Sequence, residues 1–161
     1  MIPRSFIQDL LARIDIVDEY VPPRMVPFID HLMARSPAQA IVDWQRMRLI
    51  AVGTTGSARL VIERASLEEA AVPTSGPLGV RGSGWRLHLA MGVRLEIQGS
   101  PALPAGGFAR AEVERRTHLG DGVGPLDRSA AQTAIVDAGI VDLDAQMQRS
   151  IREYLGAAVR N

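Results

Sequence analysis

The sequence predicts an α+β fold, with elements in the order β-α-β-β-β-α and an antiparallel or mixed sheet that packs two helices on one face. Three observations carry that expectation. Trp85, Leu87, Leu89, Met91, Val93, Leu95 and Ile97 alternate with Arg86, His88, Ala90, Gly92, Arg94 and Glu96, the period of a strand with one dry and one wetter face. Stretches of helical spacing follow Ser36 and Asp127 and bracket a run of strands. Strands grouped between two helices, instead of alternating with them, argue for α+β. With 161 residues, 47% of them hydrophobic, the chain has the length of one domain and can bury a core without disulfides or metal. A single domain over 1–161 is expected, with its core in 12–155.

The first element has a mixed pattern. Phe6, Ile7, Leu10 and Leu11 have helical spacing, while Ile14, Ile16 and Tyr20 alternate with Arg13, Asp15 and Glu19, so a strand is expected over about Ala12 to Tyr20 and residues 1–12 are open between helix and strand. Pro22 and Pro23 stop the strand, and Pro27 keeps the chain extended or looped through Arg35. Ser36-Pro37-Ala38-Gln39 then opens a helix: Ser accepts from the third amide, Pro suits the first position, and Gln can reach back to the cap. Ala40, Ile41, Trp44, Met47, Arg48 and Ala51 form its inward face, and Gly53 is the expected stop.

Leu60, Val61 and Ile62, interleaved with Arg59, Glu63 and Arg64, place a strand over Ala58 to Leu67. Pro73 to Gly84 is rich in Gly and Pro and is read as a mobile loop. The strand from Trp85 follows, then a short connection from Gly99 to Gly107. Phe108 to Leu119, alternating Ala109, Ala111 and Val113 with Arg110, Glu112 and Glu114, is expected to be its antiparallel neighbour. Asp127 is the expected cap of a final helix to about Leu155, with Val136, Ile140, Leu143, Met147, Ile151 and Tyr154 or Leu155 as its stripe and Gly156 as its end.

Composition narrows the function classes. Basic and acidic side chains number 18 each, so no global field draws the chain to nucleic acid or to an anionic membrane. The absence of Lys removes a Schiff-base nucleophile and a phosphate-loop lysine, and the absence of Cys removes thiol catalysis, thiolate zinc sites and disulfides. No run reaches the roughly 18 to 20 apolar residues of a membrane span. Met1-Ile2-Pro3-Arg4-Ser5 does not open as a secretory leader, which by itself predicts the cytoplasm.

No catalytic, cofactor or metal residue is expected. Gly120-Asp121-Gly122-Val123-Gly124-Pro125 lies between a strand and a helix, as phosphate-binding loops do, but its spacing is wrong and Asp121 and Asp127 bring negative charge, so it is read as a turn. His31, His88 and His118 have no ligand spacing. Asp15, Asp18 and Glu19 form an acidic cluster, read as solvated charge. Ser57, Ser66 and Ser129 lack a nucleophile's context. Arg86, Arg94, Arg110, Arg115 and Arg116 are the candidate partner-contact residues, since they could line the polar face of adjacent strands and meet an acidic partner or phosphates; pairing with Glu96, Glu112 and Glu114 is the competing account.

Two resemblances follow from longer stretches. Ile2-Pro3, Phe6-Ile7, Leu10-Leu11, Arg13, Asp15-Ile16-Val17-Asp18 and Tyr20-Val21 resemble the amino terminus of the bacterial replicative primase, which implies a cytoplasmic, replication-associated module contacting nucleic acid through its Arg-bearing strands. Over Arg13 to Leu155, "RIDIVDEYVPP", "SPAQAIVDWQRMRLIAVGTTGSARLVIERASLEE", the strand from Trp85, "ARAEVERRTHL" and "QRSIREYL" resemble an uncharacterised group of α-proteobacterial secreted proteins or lipoproteins. The element order is also similar to that of small auxiliary envelope lipoproteins. This second resemblance implies a non-enzymatic periplasmic or membrane-anchored binding or assembly domain, with a protein or lipid-associated partner, no cofactor, and a homodimer through the last helix as one option.

Overall fold

The computed structural model describes residues 13–49, 56–75, 81–100 and 103–155. Four strands and two helices follow in the expected order: β1 Arg13–Asp18, α1 Pro37–Arg48, β2 Ser57–Ser75, β3 Arg81–Gln98, β4 Gly107–Leu119 and α2 Pro125–Tyr154. The sheet is mixed, with spatial order β1-β2-β3-β4. β1 pairs with β2 in parallel, the arrangement that a crossover through α1 permits, and the other neighbours are antiparallel. The fold is therefore α+β, with both helices on one face.

Alternation decides which face is dry. Ile14 and Ile16 of β1, Leu60, Ile62, Ala65 and Leu67 of β2, Leu87 to Ile97 of β3 in steps of two, and Ala109, Ala111 and Val113 of β4 form one core with Ile41 and Trp44 of α1 and Ile135, Val136, Leu143, Met147 and Ile151 of α2. A register shift between Ile62 and Arg64 keeps β2 in phase with β3 on both sides of a bulge. Each fully buried Leu or Ile contributes about 1.5–3 kcal/mol against exposure, so this face supplies the main driving force.

Ser36 caps α1 as expected, its Oγ accepting from the Gln39 amide at 3.1 Å. Gln39 does not complete the reciprocal bond; its amide reaches forward to Asp43 Oδ1 at 2.9 Å. Ala40, Ile41, Trp44 and Arg48 are buried, whereas Met47 is exposed because the helix meets its neighbours along a narrower stripe than the spacing allowed. The helix ends at Arg48 with Leu49 as its cap residue, so it stops short of Gly53; Ala51 and Gly53 lie outside the described residues. The α2 helix begins earlier than the Asp127 reading placed it. Gly124 is the cap residue and Pro125 the first helical residue, because a proline with no amide to satisfy fits there; Asp127 sits in the first turn without a capping bond. Ile135 and Gly139 join its buried stripe, Leu155 is buried, and Tyr154 points outward.

Reading Pro73 to Gly84 as a loop needs the largest correction. β2 runs on to Ser75 and β3 starts at Arg81, with Pro73 opposite Ser83 in an unbroken ladder; 76–80 lie outside the described residues. The proline is tolerated for an identifiable reason. Residues 27–29 pair on the free side of β2, with Ile29 N–H donating to Leu67 O at 2.9 Å and Glu69 N–H to Pro27 O at 2.8 Å. Pro73 shares their parity, so its missing donor faces the sheet's edge and not β3. At Gly82 the lack of a Cβ leaves room for the Asp121 carboxylate, which a side chain would displace.

Candidate functional site: the outer sheet face

The face away from the helices is built in rows by the strand register. From one end, β2, β3 and β4 contribute Ala70, Arg86 and His118; then Glu68, His88 and Arg116; then Ser66, Ala90 and Glu114; then Arg64, Gly92 and Glu112; and finally Val61, Arg94 and Arg110, with Arg59, Glu96 and Phe108 beyond. The centre of the face holds only small side chains at Ala90 and Gly92, so long charged side chains close over it. Val61 and Ala90 are buried although they lie on this outer side.

The two ends differ in charge. At the β1 end, Arg94 approaches Glu63 at 3.1 Å and Glu96 at 2.8 Å, Arg110 approaches Glu63 at 3.2 Å, and Arg59 approaches Glu96 at 3.1 Å. Two guanidiniums thus share one carboxylate oxygen of Glu63 through charge contacts without aligned hydrogen bonds. The Arg94 hydrogen bond, ahead of the neighbouring Arg59 charge, holds the Glu96 carboxyl below the ordinary glutamate value, and Glu96 in turn raises the Arg94 guanidinium. At the opposite end, Arg86 and His118 face each other across β3 and β4, and neither has an ion-pair partner among the described residues. With His88, Arg116, Glu68, Ala70 and Pro27 they line a cavity of about 470 Å3.

The five candidate arginines do not share one face. Arg86, Arg94, Arg110 and Arg116 are on the outer side, while Arg115 has the opposite parity, points toward the helix layer and binds Asp142 of α2 at 2.6 Å. Cross-strand and same-strand pairing accounts for Arg94, Arg110 and, through Glu114 at 3.3 Å, Arg116. Arg86 is the member of the set left without a partner among the described residues.

His88 and His118, with no motif linking them in sequence, line the same cavity; His31 is elsewhere, in a short 3-10 turn over Asp30–Leu32. His88 Nδ1 donates to Glu68 Oε2 at 2.7 Å, a histidine–carboxylate arrangement that can move protons. Its Nε2 lies 3.5 Å from Glu114 on β4 and makes no hydrogen bond to the buried Ser66 hydroxyl. The three residues are therefore not aligned as a nucleophilic relay. Among the described residues no cluster of His, Asp and Glu has the geometry to hold a metal ion. The acidic cluster of β1 has local roles: Asp15 binds Arg13 at 2.8 Å and Asp18 accepts the Tyr20 amide at 3.0 Å. Tyr20 donates to Asp30 at 3.0 Å, and burial, followed by the Asp30 charge, pushes its phenol well above the usual range.

A polar network beneath the sheet was not anticipated. Glu69 points inward and is 8% exposed, where it accepts from Arg128 at 2.9 Å and Gln132 at 2.6 Å; the Arg128 guanidinium lies 3.8 Å from the Trp85 ring centre. Once β2 is extended past Leu67, its alternation places Glu69 on the dry face, and that was the available signal.

Among the described residues no helix is long and apolar enough to cross a membrane. No family model matches the chain, and no curated protein matches it significantly. Solved structures similar to it include rare lipoprotein B from Shewanella oneidensis, at TM-score 0.42 and 15% identity, covering 85% of this chain and 92% of that one. A minor lipoprotein from Acinetobacter baumannii is similar at TM-score 0.39 and 11% identity, covering 94% of this chain and 96% of that one. Both neighbours are lipoproteins, and likeness at this level carries no functional inference.

Proposed function

We propose that this chain is a non-enzymatic binding or assembly domain of the cell envelope, periplasmic or anchored to a membrane, whose contact surface is the outer sheet face at its basic end. The observation that carries the reading is Arg86, without an ion-pair partner among the described residues, set beside His118, Arg116 and His88 around one cavity. A guanidinium without an ion-pair partner among the described residues favours an acidic group on a protein or lipid-associated partner, and the two imidazole rings beside it offer further hydrogen-bonding nitrogens. The envelope assignment rests on the sequence resemblance over Arg13 to Leu155. Homodimerisation through α2 is not part of the proposal, since its apolar stripe is buried against its own sheet.

The test is site-specific photo-crosslinking in the native host, with the crosslinker at Arg86 or His118 and a control at Ala134 on the exposed side of α2, followed by cell fractionation. A discrete adduct from the first two positions, recovered with the envelope and absent from the control, is the expected result. Recovery in the cytosol with adducts to nucleic acid would instead establish the replication-associated module.

A further inference from the structure

An exposed strand edge leaves its outward amides and carbonyls to water, and is a ready template for another extended chain, unless the fold covers it. In the unshifted β3–β4 register, Arg110, Glu112, Glu114, Arg116 and His118 all direct their backbone groups away from β3. The first two amides are taken by α2: Arg110 N–H donates to Ser150 Oγ at 3.1 Å and Glu112 N–H to Gln146 Oε1 at 3.0 Å. One turn further back, α2 carries Asp142, which takes the Arg115 side chain on the inner face. The helix then crosses toward β2, where Arg128 and Gln132 reach Glu69. The outward amides of Glu114, Arg116 and His118 donate no hydrogen bond to any described residue.

We propose that β4 between Glu114 and His118 is a strand-addition site for an acidic, extended segment of a partner protein. The inference rests on the outer-face reading and gives it a binding mode. A strand laid along this edge extends the backbone ladder, and its side chains opposite Arg116 and His118 fall on the outer face, one strand beyond His88 and Arg86, within reach of the long Arg86 side chain. An acidic residue opposite Arg116 meets a guanidinium held only by the exposed Glu114 at 3.3 Å, one opposite His118 meets the end of the strand that faces Arg86, and a basic or neutral residue suits the place opposite Glu114. A second copy of this chain suits the edge less well in two of its central registers; in a third, centred on Arg115, Glu114 opposes Arg116, so protection of the Arg116 amide that rises with protein concentration in the absence of peptide would overturn the inference. Antiparallel self-pairing centred on Arg116 sets Arg116 against Arg116, and centring it on Thr117 sets Arg116 against His118.

The probe is a short, end-blocked, fluorescently labelled synthetic peptide alternating Glu and Val, compared with one alternating Lys and Val. Binding is read by anisotropy, and backbone protection by amide hydrogen exchange in the full chain. The acidic peptide is expected to bind, the basic one not, with new protection at the Arg116 and His118 amides. Arg116→Pro removes an outward donor and leaves the β3 ladder intact, so it is expected to weaken binding about tenfold. Arg86→Ala is expected to weaken it less, by about threefold. Failure of the acidic peptide to bind overturns the inference. So does binding that leaves the two amides unprotected or that Arg116→Pro does not change; loss on Arg86→Ala alone would keep the outer-face reading and remove strand addition. The protection readout uses the unmodified chain, so it stands even where the proline variant fails to fold.

Discussion

Asp144 grips Arg48 with both carboxylate oxygens, at 2.7 Å to Nε and 3.1 Å to Nη2, and this pair locks α1 to α2 at the edge of the core. The Trp44 indole donates to the same carboxylate at 2.8 Å and Gln148 at 2.9 Å, so a charge nearly removed from water has all its lone pairs engaged. Side-chain exposures of 7% for Arg48 and 15% for Asp144 put the pair in the range where breaking it costs far more than forming it gains.

Asp144→Ala is accordingly expected to destabilise the fold by about 3 kcal/mol, because it removes both hydrogen bonds that tie Arg48 to α2 and leaves the Trp44 indole N–H without its acceptor. The measurement is the urea midpoint at neutral pH. A loss below half that size would mean that this pair contributes little to holding α1 on α2.

Arg128→Ala is expected to cost about 2 kcal/mol, since Glu69 keeps only Gln132 and Trp85 loses the stacked guanidinium. Arg128 itself is partly exposed, which holds the figure down. Adding Glu69→Leu to Arg128→Ala should recover stability, because the buried charge then disappears with its partner. A double variant weaker than the single one contradicts this account.

Glu96 makes stability depend on pH. Its folded pKa lies below the ordinary 4.5, so the carboxylate contributes fully above that value and the contribution is lost as pH falls through the folded pKa. Glu96→Gln should be less stable than the native chain at pH 7, by under about 1 kcal/mol because the pair is partly solvated. The difference should shrink below pH 4.5 and vanish in stronger acid. Paired urea titrations across that interval check the sign.

Gly139 lets α2 lie directly on β3: a Cβ there would fall on Leu89 Cδ2 and Met91 Cε. Both neighbours are buried but end in flexible groups, so Gly139→Ala should be nearly neutral, with better helix propensity offsetting a small repacking. Gly139→Leu has no such escape and should cost about 3 kcal/mol or more. Thermal melts of the two variants separate the cases.

The sequence by itself determined the strand–helix order, the start of α1 at Ser36-Pro37, the alternation of β3 and β4 and the apolar stripe of α2. Each of these depends on local spacing that a residue carries wherever it sits. Tertiary structure decided the rest. Pro73 and Gly82 look like loop residues until β2 is known to be an edge strand there, with its odd-numbered amides facing away from β3. The five arginines look equivalent along the chain, yet parity turns Arg115 inward to Asp142, and the positions of Glu63, Glu96 and Glu114 neutralise three of the others. Which cation stays unpaired depends on which carboxylates the register brings across the sheet. That is a relation between residues far apart in sequence, and only the folded chain creates it.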